Sequence, residues 1–231
     1  MSDTTLAPTG LGERAGTWTC ILFDLDGTIT DSAPGITGTL VDTFVELGRP
    51  VPTPVELLAY VGPPLLDAFR ALGGMSVEEA QAALEVYRRR YNAGGLFDSS
   101  LYPGVPEVLA RIAEAGVPLS LATSKPESAA RRILEHYGLS HYFTVICGAS
   151  EDEVRSAKAD VVEEALRRLR ELDVDLSTPV MVGDREHDVH GAAAHGIPTI
   201  MVEWGYGSPA EAAGTVAVVS GAEELATLLL P

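Results

Sequence analysis

Six short apolar runs, each bounded by turn-forming residues, constrain the fold of this 231-residue chain more than any other feature. Each run is continuous rather than alternating, which is typical of a strand buried on both faces in a parallel sheet. Helical patterns lie between several runs, and three of them end at a glycine where a left-handed C-cap would fall. This alternation predicts an α/β fold with right-handed crossovers. The predicted strands are 19–23, 118–122, 143–146, 179–182, 197–202 and 216–219, and the predicted helices are 105–115, 126–137 and 188–195.

The stretch from residue 32 to residue 101 breaks this alternation and indicates a helical insertion. It contains no convincing strand. Ser76 and Glu79 have the spacing of a capping box, in which each side chain binds a free backbone N–H of the other residue. The helical patterns span 36–47, 54–61 and 76–91, and a further helix opens at Pro63-Pro64. We therefore predict a flexible N-terminal lead-in (1–16), a Rossmann-like parallel sheet core (17–31 and 102–231) and an inserted α-helical domain (32–101).

Charge and composition exclude several classes of partner. The formal net charge is -17, so nucleic-acid polymers and anionic membranes would be repelled. No apolar run approaches the ~20 residues that a membrane span needs. Cys20 and Cys147 lie inside apolar runs, which indicates buried thiols in a reducing compartment, and the N-terminus lacks a secretion signal. We expect a cytoplasmic protein that is a monomer or a homodimer and acts on a small molecule.

Polar residues follow three of the predicted strands, and a lysine lies where a later helix starts. In an open α/β sheet, ligands bind beyond the carboxyl ends of the strands. We therefore expect these side chains to converge at one edge of the sheet: Asp24, Asp26, Thr123, Ser124, Lys125, Lys158, Asp184 and Asp188.

Carboxylates as close in sequence as Asp24 and Asp26 raise one another's pKa unless a cation neutralises them. A site made only of oxygen ligands favours Mg²⁺. Beside such an ion, an aspartate can attack phosphorus while a lysine offsets the charge of the transferring group. A second acid two residues later can protonate the leaving oxygen and then deprotonate water. Asp184 and Asp188 could instead serve only as helix caps, and Lys158 could be an ordinary surface lysine.

These residues resemble the motifs of the haloacid dehalogenase superfamily, in its phosphatase branch, over nearly the whole chain and in the expected order. DLDGT at Asp24–Thr28 is similar to the first motif, Thr123 to the second, Lys158 to the third and GDREHD at Gly183–Asp188 to the fourth. The helical insertion is similar to that family's cap domain. An α/β core with a helical cap is therefore also what the resemblance implies.

The resemblance implies a role for each matched residue. Asp24 would be the nucleophile and a metal ligand, and Asp26 would be the acid/base, with its backbone carbonyl also on Mg²⁺. The remaining implied roles are phosphoryl binding for Thr123, support of Asp24 and of the phosphate charge for Lys158, metal ligation for Asp184, and metal support, direct or through water, for Asp188.

Four neighbouring residues are further candidates for contacts with the phosphate or the substrate: Gly27, Thr28, Ser124 and Lys125. Gly27 would also let the backbone turn tightly after the second acid. Lys125 has an equally good interpretation as a solvent-exposed residue at the start of a helix.

The resemblance favours a phosphatase, because GDREHD differs from the Glu-Asp-Ser type of fourth motif that is usual in sugar phosphomutases. The segments LFDSSLYPGV, LATSKPE, SAKADV and WGYGS resemble bacterial 5'-nucleotidases more than typical phosphoglycolate phosphatases. The expected substrate is a nucleoside 5'-monophosphate or a phosphorylated metabolite of similar size. Phosphoglycolate phosphatase, sugar phosphomutase and a non-catalytic phospho-receiver module are the alternatives. Closure of the cap over the core would use hinges near 31–35 and 99–104.

Overall fold

The sheet and the inserted helices are described in a computed structural model that covers residues 18–230; the predicted lead-in, 1–16, lies outside the described residues. The strands are β1 (Cys20–Phe23), β2 (Thr30–Asp31), β3 (Ser100–Leu101), β4 (Leu119–Pro126), β5 (Val145–Ala149), β6 (Pro179–Gly183), β7 (Thr199–Val202) and β8 (Ala217–Val219). The helices are α1 (Ala33–Glu46), α2 (Pro54–Leu58), α3 (Leu65–Ala71), α4 (Val77–Ala93), α5 (Val105–Glu114), α6 (Glu127–His136), α7 (Lys158–Glu171), α8 (Glu186–Ala193) and α9 (Ala222–Leu229).

Six of these strands form one parallel sheet in the order β5-β4-β1-β6-β7-β8. Strand β1 is central and completely buried. Its side chains alternate between two hydrophobic clusters: Ile21 and Phe23 belong to one, and Cys20 and Leu22 to the other. A strand covered on both faces has no polar side to present, which explains its continuous apolar sequence. The predicted parallel α/β fold is confirmed.

The helices that cover the sheet end where the sequence predicts. Gly116, Gly138 and Gly196 follow α5, α6 and α8 with φ values of +74°, +68° and +71°. This left-handed conformation ends a helix at little cost only when the residue lacks a Cβ. None of the helices in the described part of the chain combines the length and hydrophobicity that a bilayer crossing requires.

The inserted segment between β2 and β3 contains four of the helices. Phe44, Tyr60 and Phe69 bring α1, α3 and the turn after α2 together in an aromatic cluster, with ring centroids 5.9–6.1 Å apart. Ser76 and Glu79 form the predicted capping box: the Ser76 N–H donates to the Glu79 carboxylate at 2.8 Å, and the Glu79 N–H donates to Ser76 Oγ at 3.2 Å.

Two details of the insertion differ from the sequence prediction. The stretch 32–101 does contain strand residues, because β3 pairs antiparallel with β2 in a two-residue ribbon at the base of the insertion. A strand of two residues is too short to show periodicity. Helix α2 is also shorter than predicted: it ends at Leu58, and a turn leads to Gly62 at φ +108° and on to α3, which starts after Pro64.

Helix α1 packs so closely on the 3-10 turn Gly95–Phe97 that Gly35 has no room for a side chain. A Cβ at Gly35 would overlap the Gly95 carbonyl oxygen and lie 2.7 Å from that of Asp98, whereas a Cβ at Gly38 would have nothing within 4 Å. Both glycines lie inside the same helix. They therefore form a matched pair for testing this contact.

We predict that Gly35→Ala lowers the free energy of unfolding by about 1–3 kcal/mol, because the backbones must separate to admit the methyl group. Gly38→Ala should raise it by roughly 0.4–1 kcal/mol, because alanine loses less conformational entropy in a helix. Urea denaturation of the two variants measures both changes. Equal effects of the two substitutions would contradict the close approach at Gly35.

Candidate active site

The polar residues predicted at the strand ends converge beyond β1, β4 and β6. Oxygen atoms of Asp24, Asp184 and Asp188 all lie within 4.8 Å of one another, and all three side chains are buried. Asp24 directly follows β1, Asp184 directly follows β6, and Asp188 lies in the first turn of α8. The sheet order places β1 beside β6, and this adjacency brings the three acids together.

Lys158, the first residue of α7, binds two of the three acids of this cluster. Its Nζ lies 2.7 Å from Asp24 Oδ1, 2.8 Å from Asp188 Oδ1 and 2.9 Å from the Ala122 carbonyl oxygen. The lysine is buried, so it is not an ordinary surface residue. Among the described residues, nothing donates a hydrogen bond to the other oxygen of Asp24, Oδ2.

Backbone N–H groups hold the two acids of the fourth motif. Asp188 Oδ2 accepts from the N–H groups of Asp184 and Arg185, both at 3.1 Å, and Asp184 Oδ2 accepts from the Tyr206 N–H at 2.7 Å. Thr28, which is fully buried, donates its hydroxyl to Asp184 Oδ1 at 3.4 Å. Asp188 is thus both the helix cap that the sequence allowed and a neighbour of the lysine.

Three glycines leave space for Asp184. Gly27 has φ +89°, and a Cβ on it would overlap the Asp184 carboxylate. A Cβ on Gly205 would overlap the same carboxylate, and one on Gly207 would overlap the Asp184 carbonyl oxygen. Packing therefore requires glycine at position 27 as much as the predicted turn does, because Asp184 occupies the space that a side chain would need.

The electrostatics of the cluster favour a bound cation. Burial raises the pKa of Asp24 to about 6 despite the opposing attraction of Lys158. Burial, together with repulsion from Asp188 and Asp24, raises the pKa of Asp184 well above its usual range. Burial disfavours the charge on Lys158, but the attraction of Asp188 and Asp24 and their hydrogen bonds together outweigh it and raise the pKa of the lysine. Three buried carboxylates and one lysine leave an excess of negative charge, and a divalent cation with oxygen ligands would neutralise it.

Asp26 lies apart from this cluster and pairs with Lys125. The two carboxylate oxygens of Asp26 lie 2.8 and 3.0 Å from Lys125 Nζ, and both residues are buried. The ring of Tyr91, from α4 in the inserted segment, covers the same ammonium at 5.0 Å from its centroid. Lys125 is therefore not the solvent-exposed residue that one interpretation of the sequence suggested.

The remaining predicted residues lie at the end of β4. The Thr123 hydroxyl is buried and accepts a hydrogen bond from the Lys125 N–H at 3.3 Å. Ser124 Oγ is buried and has no hydrogen-bond partner in the described part of the chain. A buried hydroxyl without a partner is uncommon, and it fits a place where a ligand oxygen binds.

A cleft that is partly open to solvent separates the inserted helices from the core. Tyr60, Tyr87 and Tyr91 line it on the side of the insertion, and the rings of Tyr87 and Tyr91 stack with centroids 5.3 Å apart. Asp26, Lys125 and Ser124 line it on the core side. The cleft therefore runs from the catalytic candidates to an aromatic wall.

Sequence reasoning missed the roles of Tyr206 and Arg185. The Tyr206 hydroxyl accepts hydrogen bonds from the N–H groups of Ser32 and Ala33, at 2.7 and 2.9 Å, and donates to Asp31 at 2.8 Å. Arg185 extends from the fourth motif to the inserted segment. A tyrosine between two glycines, shortly after a buried strand, was a usable signal for Tyr206, whereas nothing local indicated the role of Arg185.

Comparisons with known proteins agree with this geometry. A family model described as haloacid dehalogenase-like hydrolase matches residues 21–202. The 5'-nucleotidase of Pseudomonas aeruginosa is 37% identical over 83% of this chain and 85% of its own length. The phosphoglycolate phosphatase of Cupriavidus necator is 33% identical over 92% of this chain and 94% of its own length. A structure from Clostridium acetobutylicum, described as a predicted phosphatase, superposes with a TM-score of 0.85 at 36% identity and covers 90% of this chain and 96% of its own.

A further relative has a different name. The tyrosine-protein kinase PtkA of Mycobacterium tuberculosis is 50% identical over 81% of this chain, and the match spans only 62% of the length of that relative. The family model covers most of this chain, and the relatives named 5'-nucleotidase and phosphoglycolate phosphatase align along 85% and 94% of their own length. The chain belongs to the haloacid dehalogenase-like hydrolase family.

Proposed function

We propose that the chain is a Mg²⁺-dependent phosphatase that hydrolyses a nucleoside 5'-monophosphate through an aspartyl-phosphate intermediate. The observation that carries the substrate assignment is the cleft, which combines an aromatic wall with cations that are already paired. Such a cleft suits a leaving group that is neutral and contains a flat ring. The name of the Pseudomonas relative supports the same assignment.

Asp24 is the proposed nucleophile. Lys158 holds Oδ1 at 2.7 Å and so orients the carboxylate, while Oδ2 is free to form the bond to phosphorus. The same ammonium would offset negative charge on the transferring phosphoryl group. Thr123 and Ser124, at the end of β4, would donate their hydroxyls to the phosphoryl oxygens, and the unpartnered Ser124 Oγ supports this role.

Asp24, Asp184 and Asp188 fit a divalent metal by their oxygen donors, their mutual approach and their burial, and the backbone carbonyl of Asp26 is a further proposed ligand. When bound, Mg²⁺ would neutralise the acids and the charge of the phosphate. Asp26 is the proposed acid/base, because its carboxylate lines the cleft on the leaving-group side. Its pairing with Lys125 keeps this carboxylate in a fixed orientation under Tyr91.

The charges in the cleft separate the candidate substrates. Phosphoglycolate carries a carboxylate, and the bisphosphate of a phosphomutase carries a second phosphate, so each would need an unpaired cation. Among the described residues that line the cleft, the two cations are both paired: Lys125 with Asp26, and Arg88 with Glu153. A nucleoside needs no such cation, and its base can stack on tyrosine. The non-catalytic receiver lacks support, because the family is one of hydrolases.

We predict that Asp24→Asn lowers kcat by on the order of 10³-fold or more, because the amide cannot form the phosphoenzyme. Steady-state phosphate release measures the loss, and Asp42→Asn on the exposed surface of α1 is the control. Circular dichroism should show an unchanged fold. Activity of the Asp24 variant near that of the parent would exclude Asp24 as the nucleophile.

The substrate assignment predicts an order of kcat/KM in a phosphate-release screen. Nucleoside 5'-monophosphates should exceed phosphoglycolate by about 10-fold or more, since a buried carboxylate without a partner costs well over 1.4 kcal/mol. Removal of metal with EDTA should abolish turnover, and added Mg²⁺ should restore it. A separate reaction with ATP and a tyrosine-containing peptide tests for the tyrosine kinase activity that the name PtkA describes. Preference for phosphoglycolate would overturn the assignment.

We also propose that the inserted helices close over the core by a hinge motion at the ribbon β2/β3. There the chain passes from the core into the insertion and back, and we call these two points the crossings. A core tyrosine hydroxyl holds each crossing: that of Tyr206 binds Asp31, Ser32 and Ala33, and that of Tyr137 donates to the Ser99 carbonyl at 2.6 Å. Exclusion of water by such closure strengthens the electrostatics of the site.

Tyr206→Phe removes the hydroxyl and leaves the backbone N–H that binds Asp184. We predict faster hydrogen exchange at residues 31–35 and a fall of about 5-fold in kcat/KM, equivalent to one net hydrogen bond. Tyr137→Phe should affect residues 99–101 in the same way. If a phosphate mimic changed exchange in neither segment of the parent protein, the proposed hinges would be wrong.

A further inference from the structure

Arg185 connects the metal-ligand motif to the inserted helices. Its Nη1 donates a hydrogen bond to the Val61 carbonyl oxygen at 2.6 Å, across the boundary between core and insertion. Val61 lies in the turn between α2 and α3, and the next two residues, Gly62 and Pro63, line the cleft. The guanidinium therefore contacts the segment that forms one edge of the substrate space.

The core holds Arg185 in a fixed orientation for this contact. Its Nε donates to Glu211 Oε2 at 2.8 Å, and the same carboxylate accepts the N–H groups of Glu186 and Ser208. The backbone N–H of Arg185 donates to Asp188 Oδ2, and Arg185 directly follows Asp184. A planar guanidinium that is fixed at Nε points its Nη atoms in a defined direction.

The turn that accepts this hydrogen bond fits closely against Arg185. Gly62 has φ +108°, and a Cβ on it would lie 3.3 Å from Arg185 Nη1. The side chain of Arg185 is 14% exposed, so the hydrogen bond to the carbonyl is largely shielded from water. A shielded, charge-assisted hydrogen bond of this kind contributes more than an exposed one.

We propose that Arg185 is a positioning residue for the phosphatase reaction: it holds the Val61–Pro63 turn in the closed position and so ties closure of the cleft to the residues that bind the metal. This role does not depend on which phosphomonoester is the substrate. It requires only that the inserted helices open to admit substrate and close for chemistry. In the open state the bond to Val61 breaks, while the bonds of Arg185 to Glu211 and Asp188 remain within the core.

The loss of this contact should act on substrate affinity more than on chemistry. If the closed state is populated in a fraction of molecules, the apparent dissociation constant rises as that fraction falls. A second contact across the boundary, from Arg88 Nη1 to the Glu151 carbonyl oxygen at 3.0 Å, remains in place and limits the effect. We therefore expect a KM increase of about 10-fold, corresponding to one charge-assisted hydrogen bond.

The test compares Arg185→Gln with Glu211→Gln in the full chain. The first variant loses the bond to Val61. The second removes the negative charge of the ion pair but keeps an amide oxygen that can accept from Arg185 Nε, so the guanidinium stays beside Val61. The best phosphomonoester from the screen serves as substrate, so failure of the nucleotide assignment does not affect the comparison. Hydrogen exchange of residues 59–65 gives a readout that does not require turnover.

Arg185→Gln should raise KM about 10-fold, leave kcat within about 3-fold and leave the Mg²⁺ concentration for half-maximal activity unchanged, because the backbone N–H to Asp188 remains. Exchange at 59–65 should become faster. Glu211→Gln should change KM by less than about 3-fold. A fall in kcat with unchanged KM, or unchanged exchange at 59–65, would overturn the proposal. So would a shift in Mg²⁺ dependence alone, because that shift would assign Arg185 to support of the metal site.

Discussion

The buried cluster of carboxylates around Lys158 is the interaction on which the rest of the structure depends. Three acids within 4.8 Å of one another repel, and burial increases the cost of their charge. The lysine offsets part of this charge through Asp24 and Asp188, and backbone N–H groups satisfy other oxygens of the cluster. The remaining negative charge favours a divalent cation, which would in turn attract a phosphate oxygen. The fold thus holds together like charges that a bound divalent cation would stabilise.

The neighbours of Asp184 connect this cluster to the inserted helices. Arg185 reaches Val61 through its side chain, and Tyr206 binds Asp184 through its backbone and the start of α1 through its hydroxyl. Lys125 adds a third link, because its ammonium lies between Asp26 and the ring of Tyr91. Movement of the inserted helices would therefore change the contacts of several residues that are proposed to carry the chemistry.

The sequence predicted the sheet and most of the candidate site because both depend on local signals. A strand covered on two faces must be apolar along its length, as in Cys20–Phe23, and ligand sites lie beyond such strand ends. The rest depends on contacts distant in sequence. The ribbon of β2 and β3 pairs residues about seventy positions apart, and the bond from Arg185 to Val61 spans 124 positions. Lys125 is a similar case: from the sequence, a buried lysine paired with Asp26 could not be distinguished from an exposed surface lysine.

The ribbon of β2 and β3 has a further consequence. Because its two strands are hydrogen-bonded neighbours, the chain leaves the core and returns to it at points only about 5 Å apart. A segment attached at such closely spaced ends can vary in length and content without stretching the scaffold that carries the catalytic candidates. Evolution could exchange this module for another while the residues proposed to carry phosphoryl transfer stay in place.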